Sequence, residues 1–201
     1  SEGGGDPTGG LTAYSGWAEL PIEKGDPNLY YAHHICPDFR VGGHLARNYT
    51  VCYSAEHHCP VWVAAPRHAC YEVDGTDRTD AYGKDPDIPS NIQYNSDATG
   101  GGCNKGHMLG SAERLVTRAV SADTTYVVIG TYFEPFTDAY GKSCSPETIS
   151  YGGRSDVTRP SMFYYLILRS KSGRTGKSVY DLPAGDLKCA AFVLRHNIEK
   201  G

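Results

Sequence analysis

Residues 124–133, with the sequence TTYVVIGTYF, are the strongest indication of a buried strand in this chain. Their β-branched and aromatic side chains form a short apolar run, typical of a strand covered by other parts of a protein. Two later runs, SMFYYLILR at Ser161–Arg169 and KCAAFVLR at Lys188–Arg195, have the same character. Clusters of Gly, Pro, Asp and Ser separate such runs, and helical periodicity is scarce. The sequence therefore predicts more strands than helices.

The first half of the chain predicts further strands. Arg47–Tyr53 and Pro60–Ala65 alternate apolar and polar residues on either side of SAEHH, which indicates a β-hairpin. Trp17–Leu20 and Leu29–Ile35 are expected to be short strands or loop pieces, and Ala69–Val73 a further strand. We predict an α+β fold with a central, mostly antiparallel sheet and few helices.

The length of 201 residues and the hydrophobic content of 39% are enough for one core. We expect residues 1–16 to be a flexible, Gly-rich tether and residues 17–201 to be a single domain. No apolar run approaches the length needed to cross a membrane. The tether is typical of the mature end of an exported protein, and a lipid anchor could precede residue 1, although an artificial flexible end looks the same.

The seven cysteines indicate an oxidising compartment, since none forms a C-x-x-C pair and structural disulfides are the better interpretation. Cys52 and Cys59 flank the predicted hairpin turn and could bridge it, although spacing alone does not decide pairing. We expect a periplasmic, cell-surface or extracellular protein. The odd cysteine count leaves one thiol unpaired or its partner outside this sequence.

The net charge of −4 and the pI near 6.0 give no overall attraction to nucleic acid. This counts against a protein that coats nucleic acid tightly. It does not exclude an enzyme that acts on nucleic acid, because turnover needs a local cationic groove rather than a basic surface everywhere.

The segment that carries chemistry is CNKGHMLGSAER, residues 103–114. In an extended backbone, Lys105 and His107 project from the same side, and Gly106 between them permits a substrate backbone to approach closely. A neutral imidazole can take a proton from water, while the ammonium group offsets charge that develops on a phosphate. The pattern suits phosphodiester hydrolysis.

This segment resembles the signature of the DNA/RNA non-specific endonucleases of the ββα-metal (His-Me finger) superfamily. The usual form of that signature is Asp-Arg-Gly-His followed by Met and small residues. The resemblance extends to TYVVIGTYF and RPSMFYYLIL, and it covers most of the chain from about Arg47 onward. It implies an active-site hairpin of the ββα-metal type. It also implies that strands like these form the sheet behind that hairpin.

The resemblance also implies the roles of individual residues. His107 matches the general base, and Lys105 occupies the position of an Arg that contacts the substrate phosphate. Arg78 matches a second Arg that stabilises the transition state, and Asn104 matches an acidic residue that braces the hairpin beside the substrate. The implied cofactor is Mg²⁺, or Mn²⁺ or Ca²⁺ at the same site, and the implied substrates are DNA and RNA.

The chain departs from the family where the metal ligand is expected. The family has a helix after the hairpin that supplies a metal-binding Asn, but here no Asn follows His107 before Asn197. The metal-binding helix is missing between about residues 114 and 123, so the ligand is unknown. Either the sequence omits a stretch that could also hold the missing cysteine, or a real deletion has left an inactive relative.

Other histidines are interpreted as structural. Neighbours on a strand point to opposite faces, so neither His33–His34 nor His57–His58 should chelate one ion, and both pairs are expected at the surface or in the hairpin. His44, His68 and His196 have no partner at ligand spacing, and Ser111 has no acid and base nearby that would make a catalytic triad.

Three hypotheses remain open at this stage. The leading one is a metal-dependent, sequence-nonspecific endonuclease with His107 as the general base. The second is a catalytically inactive nuclease-like module of an exported or surface protein that binds nucleic acid or glycan, and the third is a disulfide-stabilised surface protein with an interaction role. The sequence does not determine a preference between DNA and RNA, the oligomeric state or the biological role.

Overall fold

A computed structural model describes residues 25–41, 44–68, 83–94, 121–151 and 153–196. Within these residues, six antiparallel strands form one sheet in the order β1-β2-β3-β4-β9-β10. They are β1 (Leu29–Val41), β2 (His44–Ser54), β3 (Cys59–Arg67), β4 (Thr125–Tyr132), β9 (Met162–Ser170) and β10 (Leu187–Arg195). No helix in this part of the chain is long and apolar enough to cross a bilayer.

Two small hairpins fill the chain between β4 and β9. They consist of β5 (Phe136–Thr137) with β6 (Ser143–Cys144), and of β7 (Glu147–Tyr151) with β8 (Arg154–Arg159). Two short 3₁₀ helices, Val179–Asp181 and Ala184–Asp186, connect β9 to β10. The sequence did not indicate these hairpins, because strands of two to six residues are too short for a periodic pattern.

The mostly antiparallel sheet with few helices is confirmed for the described residues. The strand predicted at 124–133 is β4, which lies between β3 and β9 in the sheet. The predicted hairpin is formed by β2 and β3, where Ser54 pairs with Cys59 across the turn. The tether, the predicted strands Trp17–Leu20 and Ala69–Val73, and the ββα hairpin lie outside the described residues.

Apolar side chains pack on both faces of the sheet. One cluster contains Ala32, Val51, Tyr53 and Ile88, and the other contains Cys52, Trp62, Ala64 and Val128. Successive residues of a strand point to opposite faces, so β2 contributes to both clusters in turn. Burial of each large apolar side chain stabilises the fold by about 1.5–3 kcal/mol. Burial in the middle of the sheet explains the near-continuous apolar runs of β4 and β9. The run Lys188–Arg195, predicted to be buried as well, forms the edge strand β10 and is largely exposed among the described residues.

No disulfide joins two of the five described cysteines, which are Cys36, Cys52, Cys59, Cys144 and Cys189. The suggested Cys52–Cys59 bridge is wrong, and the register of β2 and β3 explains why. Cys52 lies opposite Trp62 and Cys59 lies opposite Ser54, so the two cysteines are not cross-strand partners. Burial raises the pKa of Tyr53 and the Cys59 thiol adds to the rise, whereas Cys52 acts in the same way on Tyr164.

A buried carboxylate organises the turn that enters β4. Asp123 accepts hydrogen bonds from the Ser170 hydroxyl at 2.6 Å, from the Thr175 amide and hydroxyl at 2.7 Å each, and from the Gly176 amide at 2.8 Å. Burial by itself would raise the pKa of Asp123, but these hydrogen bonds outweigh it and hold the pKa well below its usual range. The carboxylate therefore fixes the loop after β9 against the start of β4.

The centre of the sheet also depends on a glycine. Gly130 in β4 lies beneath the aromatic ring of Tyr164 in β9, and a Cβ at this position would stand 2.0 Å from the Cζ atom of that ring. Tyr164 itself packs against the cluster around Trp62. The close approach requires a residue without a side chain.

We expect Gly130→Ala to lower the free energy of unfolding by about 1–3 kcal/mol, because the added methyl group displaces the Tyr164 ring from its packed position. Denaturant unfolding measures the change. Gly185→Ala is the matched control, since no atom lies within 4 Å of a Cβ there. Equal stability of the two variants would contradict the proposed close packing.

We expect Asp123→Asn to lower the free energy of unfolding by more than about 2 kcal/mol at neutral pH, because it removes an ionised acceptor of several hydrogen bonds. The pKa of Asp123 is lower in the folded than in the unfolded chain, where it is about 3.9. Its contribution is therefore complete above about pH 4 and is lost as pH falls below it. Unfolding measured between pH 7 and pH 3 should show less acid destabilisation in the variant than in the wild type.

Candidate metal centre

Residues 83–94 cover one face of the sheet beside β1 and β2. Ile88 is buried in the cluster with Ala32 and Val51. The far end of the segment is held by the hairpin turn, where His58 Nδ1–H donates to the Ile92 carbonyl at 2.8 Å. The His58 ring stacks on Tyr94 with centroids 4.6 Å apart. The segment is therefore fixed to the sheet at its middle and at its end.

Gln93 fixes the shape of the segment from inside. Its Oε1 accepts from the Asp85 amide at 2.8 Å, and its Nε2–H₂ donates to the carbonyls of Asp85 at 2.8 Å and of Ile88 at 2.6 Å. The Asp87 amide donates to Asp85 Oδ1 at 2.9 Å. These bonds hold the Asp85–Asp87 turn in one conformation, with both carboxylates on the side that faces β1.

His34 of β1 points at this turn. It lies on the same face as Ala32, and the pairing of β1 with β2 shifts register immediately after it. Its cross-strand partner Tyr49 packs on the imidazole with ring centroids 4.4 Å apart. The ring is thus held between the sheet and the segment.

The side chains of His34, Asp85 and Asp87 form a compact polar cluster. The Nε2–H of His34 donates to Asp85 Oδ2 at 2.7 Å, and its Nδ1 lies 3.7 Å from Asp87 Oδ2. One ligand atom from each of the three residues lies within 4.8 Å of the others. Their side chains are 19%, 18% and 11% exposed, so water reaches the cluster from one side.

The two carboxylates dominate the electrostatics of this cluster. Burial raises the pKa of Tyr49, and the negative charges of Asp85 and then Asp87 raise it further. One imidazole nitrogen and two carboxylate oxygens are a donor set that divalent metal ions accept. His34, Asp85 and Asp87 are therefore the residues of the described chain that could hold a metal ion.

Sequence reasoning missed this cluster. It was right that His33 and His34 point to opposite faces, since His33 Nδ1 lies 3.0 Å from the Thr50 hydroxyl on the other side. The expectation of a surface position was wrong for His33, which is 6% exposed, because the sheet is covered on both faces. The available signal was the spacing of Asp85 and Asp87 around Pro86, but their partner lies 51 residues away in sequence.

Two further described histidines are held by a ring contact or a hydrogen bond. His57 stacks on Phe133 with centroids 3.9 Å apart, and burial lowers its pKa. His196 is buried, and its Nδ1–H donates to the Pro160 carbonyl at 2.9 Å. Burial also lowers the pKa of His196. Neither imidazole faces an open site in the described structure.

The residues predicted to carry catalysis lie outside the described part of the chain. These are His107, Lys105, Arg78 and Asn104. Most of the stretch between 114 and 123, where the metal-binding helix is missing, lies outside it as well. The roles assigned to these residues stay predictions. The described segment 83–94 ends at Tyr94, which lies ten residues before Asn104 in the sequence.

A comparison with known protein families gives a match that includes the segment 83–94. The profile described as DNA/RNA non-specific endonuclease matches residues 37–126, which contain both Asp85 and Asp87 and the NKGH sequence. The match spans 90 of the 201 residues, and over this stretch the chain is similar to that family. His34 precedes the matched residues, so the polar cluster joins one residue from outside the family match to two from inside it.

Solved structures show the same fold. A chain in the crystal structure entitled "Crystal structure of the EndoG/EndoGI complex: Mechanism of EndoG inhibition" matches with a TM-score of 0.54 and 18% sequence identity. The match covers 76% of this chain and 73% of that chain. A comparison with curated protein sequences gives no match. This likeness concerns the fold alone.

We expect Gln93→Leu to loosen the Asp85–Asp87 turn without unfolding the sheet, because the apolar replacement leaves the Asp85 amide and two carbonyls without a partner. The free energy of local opening at the Asp85 amide, measured by native-state hydrogen exchange, should fall by about 1–3 kcal/mol. Asn91→Leu is the control, since Asn91 is exposed. Unchanged exchange at Asp85 would contradict this role for Gln93.

Proposed function

We propose that this chain is a divalent-metal-dependent, sequence-nonspecific endonuclease that hydrolyses phosphodiester bonds of DNA and RNA. The observation that carries the proposal is the family match over residues 37–126, which includes the NKGHMLGSAER sequence. The fold shared with the EndoG/EndoGI structure is consistent with it. Activity needs a local cationic groove, which the overall charge of −4 does not prevent.

In this proposal, three side chains act on the scissile phosphate. His107 is the general base that takes a proton from the attacking water. Lys105 and Arg78 offset the negative charge that builds up on the phosphate oxygens, and Asn104 braces the hairpin beside the substrate. Lys105 does so as a point charge, without the bidentate geometry of the Arg in the usual signature.

The proposed cofactor is Mg²⁺, or Mn²⁺ or Ca²⁺ at the same site. When bound, such an ion supplies Lewis-acid stabilisation of the phosphate and the leaving oxygen. The polar cluster of His34, Asp85 and Asp87 is a poor match for Mg²⁺, which prefers oxygen ligands and retains several waters. The ligands of the catalytic ion are therefore not assigned.

A second candidate function is an inactive nuclease-like module that binds nucleic acid without cutting it. The specific observation in its favour is the missing metal ligand, since no Asn occurs between His107 and Asn197. The exported location, as a periplasmic, extracellular or lipid-anchored protein, stays a prediction from the sequence.

The nuclease proposal predicts cleavage of plasmid DNA, single-stranded DNA and RNA in the presence of Mg²⁺, and loss of cleavage with EDTA. His107→Ala should lower the rate by about 10²–10⁴-fold, because it removes the general base. Lys105→Ala should lower the rate as well. The matched controls are His57→Ala and Lys84→Ala, which alter the same residue types at positions to which the proposal assigns no catalytic role.

Fluorescence anisotropy with a labelled oligonucleotide separates the two functions. Binding without cleavage by the wild type, with Mg²⁺, Mn²⁺ and Ca²⁺ each tested, would refute the nuclease proposal and favour the binding module. Cleavage that survives in His107→Ala would refute the assignment of the general base.

A further inference from the structure

We propose that His34, Asp85 and Asp87 bind a divalent transition-metal ion of the Zn²⁺ type, which clamps the segment 83–94 to strand β1. The site differs in its ligands from the catalytic Mg²⁺ position that the family implies, because it needs His34, which lies outside the family match. The inference does not depend on nuclease activity.

The distances are close to those of a metal site. Donor atoms around a four-coordinate Zn²⁺ lie roughly 3–3.5 Å apart, given metal–ligand distances of about 2.0–2.2 Å. The three donors here lie within 4.8 Å of one another, and two of them are already 2.7 Å apart. Asp87 Oδ2 lies nearest to Nδ1 of the imidazole, so the Asp87 side chain must turn towards the Nε2 side to share one ion with Asp85, and water can fill the remaining positions.

The two carboxylates of the cluster carry negative charge that a bound cation would balance. Asp85 and Asp87 are largely buried, and among the described residues their ion pairs are with His34 and no other group. The adjacent Lys84 directs its ammonium group to the Ser90 carbonyl at 2.6 Å instead. Even a protonated imidazole leaves one negative charge uncompensated. Buried charges in proteins are paired or coordinate metal ions, and a divalent ion balances both carboxylates.

The ligands are also held in place before any ion arrives. Asp85 Oδ1 is engaged by the Asp87 amide, which leaves Oδ2 for a metal ion. The backbone of Asp85 is fixed by Gln93, and Ile88 anchors the turn in the apolar cluster. Such support lowers the entropic cost of binding and is characteristic of metal sites.

The donor set selects the metal. An imidazole with two carboxylates suits Zn²⁺ or Mn²⁺ better than Mg²⁺ or Ca²⁺, which favour oxygen ligands throughout. An ion on His34 Nε2 replaces the hydrogen that now joins this nitrogen to Asp85 Oδ2. Protons therefore compete with the ion, and affinity decreases as the solution becomes more acidic.

The test is a titration of chelator-treated protein with Zn²⁺ by calorimetry, in the presence of excess Mg²⁺. We expect one tight ion per chain, and we expect the melting temperature to rise with Zn²⁺ because the ion binds the folded state. Asp87→Asn should weaken binding at least about tenfold, since it removes a charged ligand while keeping the side-chain shape. Asp26→Asn is the matched control, because Asp26 also caps a turn but lies away from the cluster.

A second measurement excludes the cysteine thiols as the binding site and does not require a folded variant. Co²⁺ bound to the wild type should give the visible bands of nitrogen and oxygen ligation. Thiolate-to-cobalt charge-transfer bands would instead assign the ion to cysteines and overturn the proposal. Absence of tight Zn²⁺ binding, or equal binding by Asp87→Asn and the wild type, would overturn it as well.

Discussion

The strands β2, β3 and β4 carry apolar side chains on both faces of the sheet, and that constraint determines much of what surrounds them. Strand β2 sends Val51 and Tyr53 to one side and Cys52 to the other, and both sides are buried. An antiparallel sheet of this kind cannot leave one face to water, so other segments of the chain must cover it. The positions of the covering segments follow from where they bury their apolar residues.

In the segment 83–94, covering the sheet also brings polar side chains together. Ile88 is the apolar residue that brings the segment onto the sheet, and Gln93 satisfies the backbone groups that this burial removes from water. The two carboxylates beside Ile88 are then brought to His34 on β1. Packing by one isoleucine thus produces a polar cluster that neither strand nor segment contains by itself. The same segment leads towards the NKGH sequence that carries the nuclease proposal.

Much of the sheet could be predicted from the sequence. The run that became β4 is apolar and β-branched because it is buried on both faces, and the SAEHH turn gave the hairpin of β2 and β3 correctly. The elements that were missed, β5 to β8, are short and paired locally, so they leave no periodic pattern. The disulfide expectation failed because strand register decides which residues lie opposite each other in a hairpin, and spacing in sequence does not reveal it.

The same distinction, between what the sequence predicts and what it does not, applies to the candidate sites. The sequence by itself determined the antiparallel sheet and the resemblance to the endonuclease family, because apolar periodicity and a contiguous motif are local properties that survive without coordinates. Only the tertiary structure decided that His34 meets Asp85 and Asp87, or that His33 is buried against Thr50. The physical reason is that ligands from distant parts of a chain converge through the burial of apolar residues, and this convergence has no signature in any single stretch of sequence.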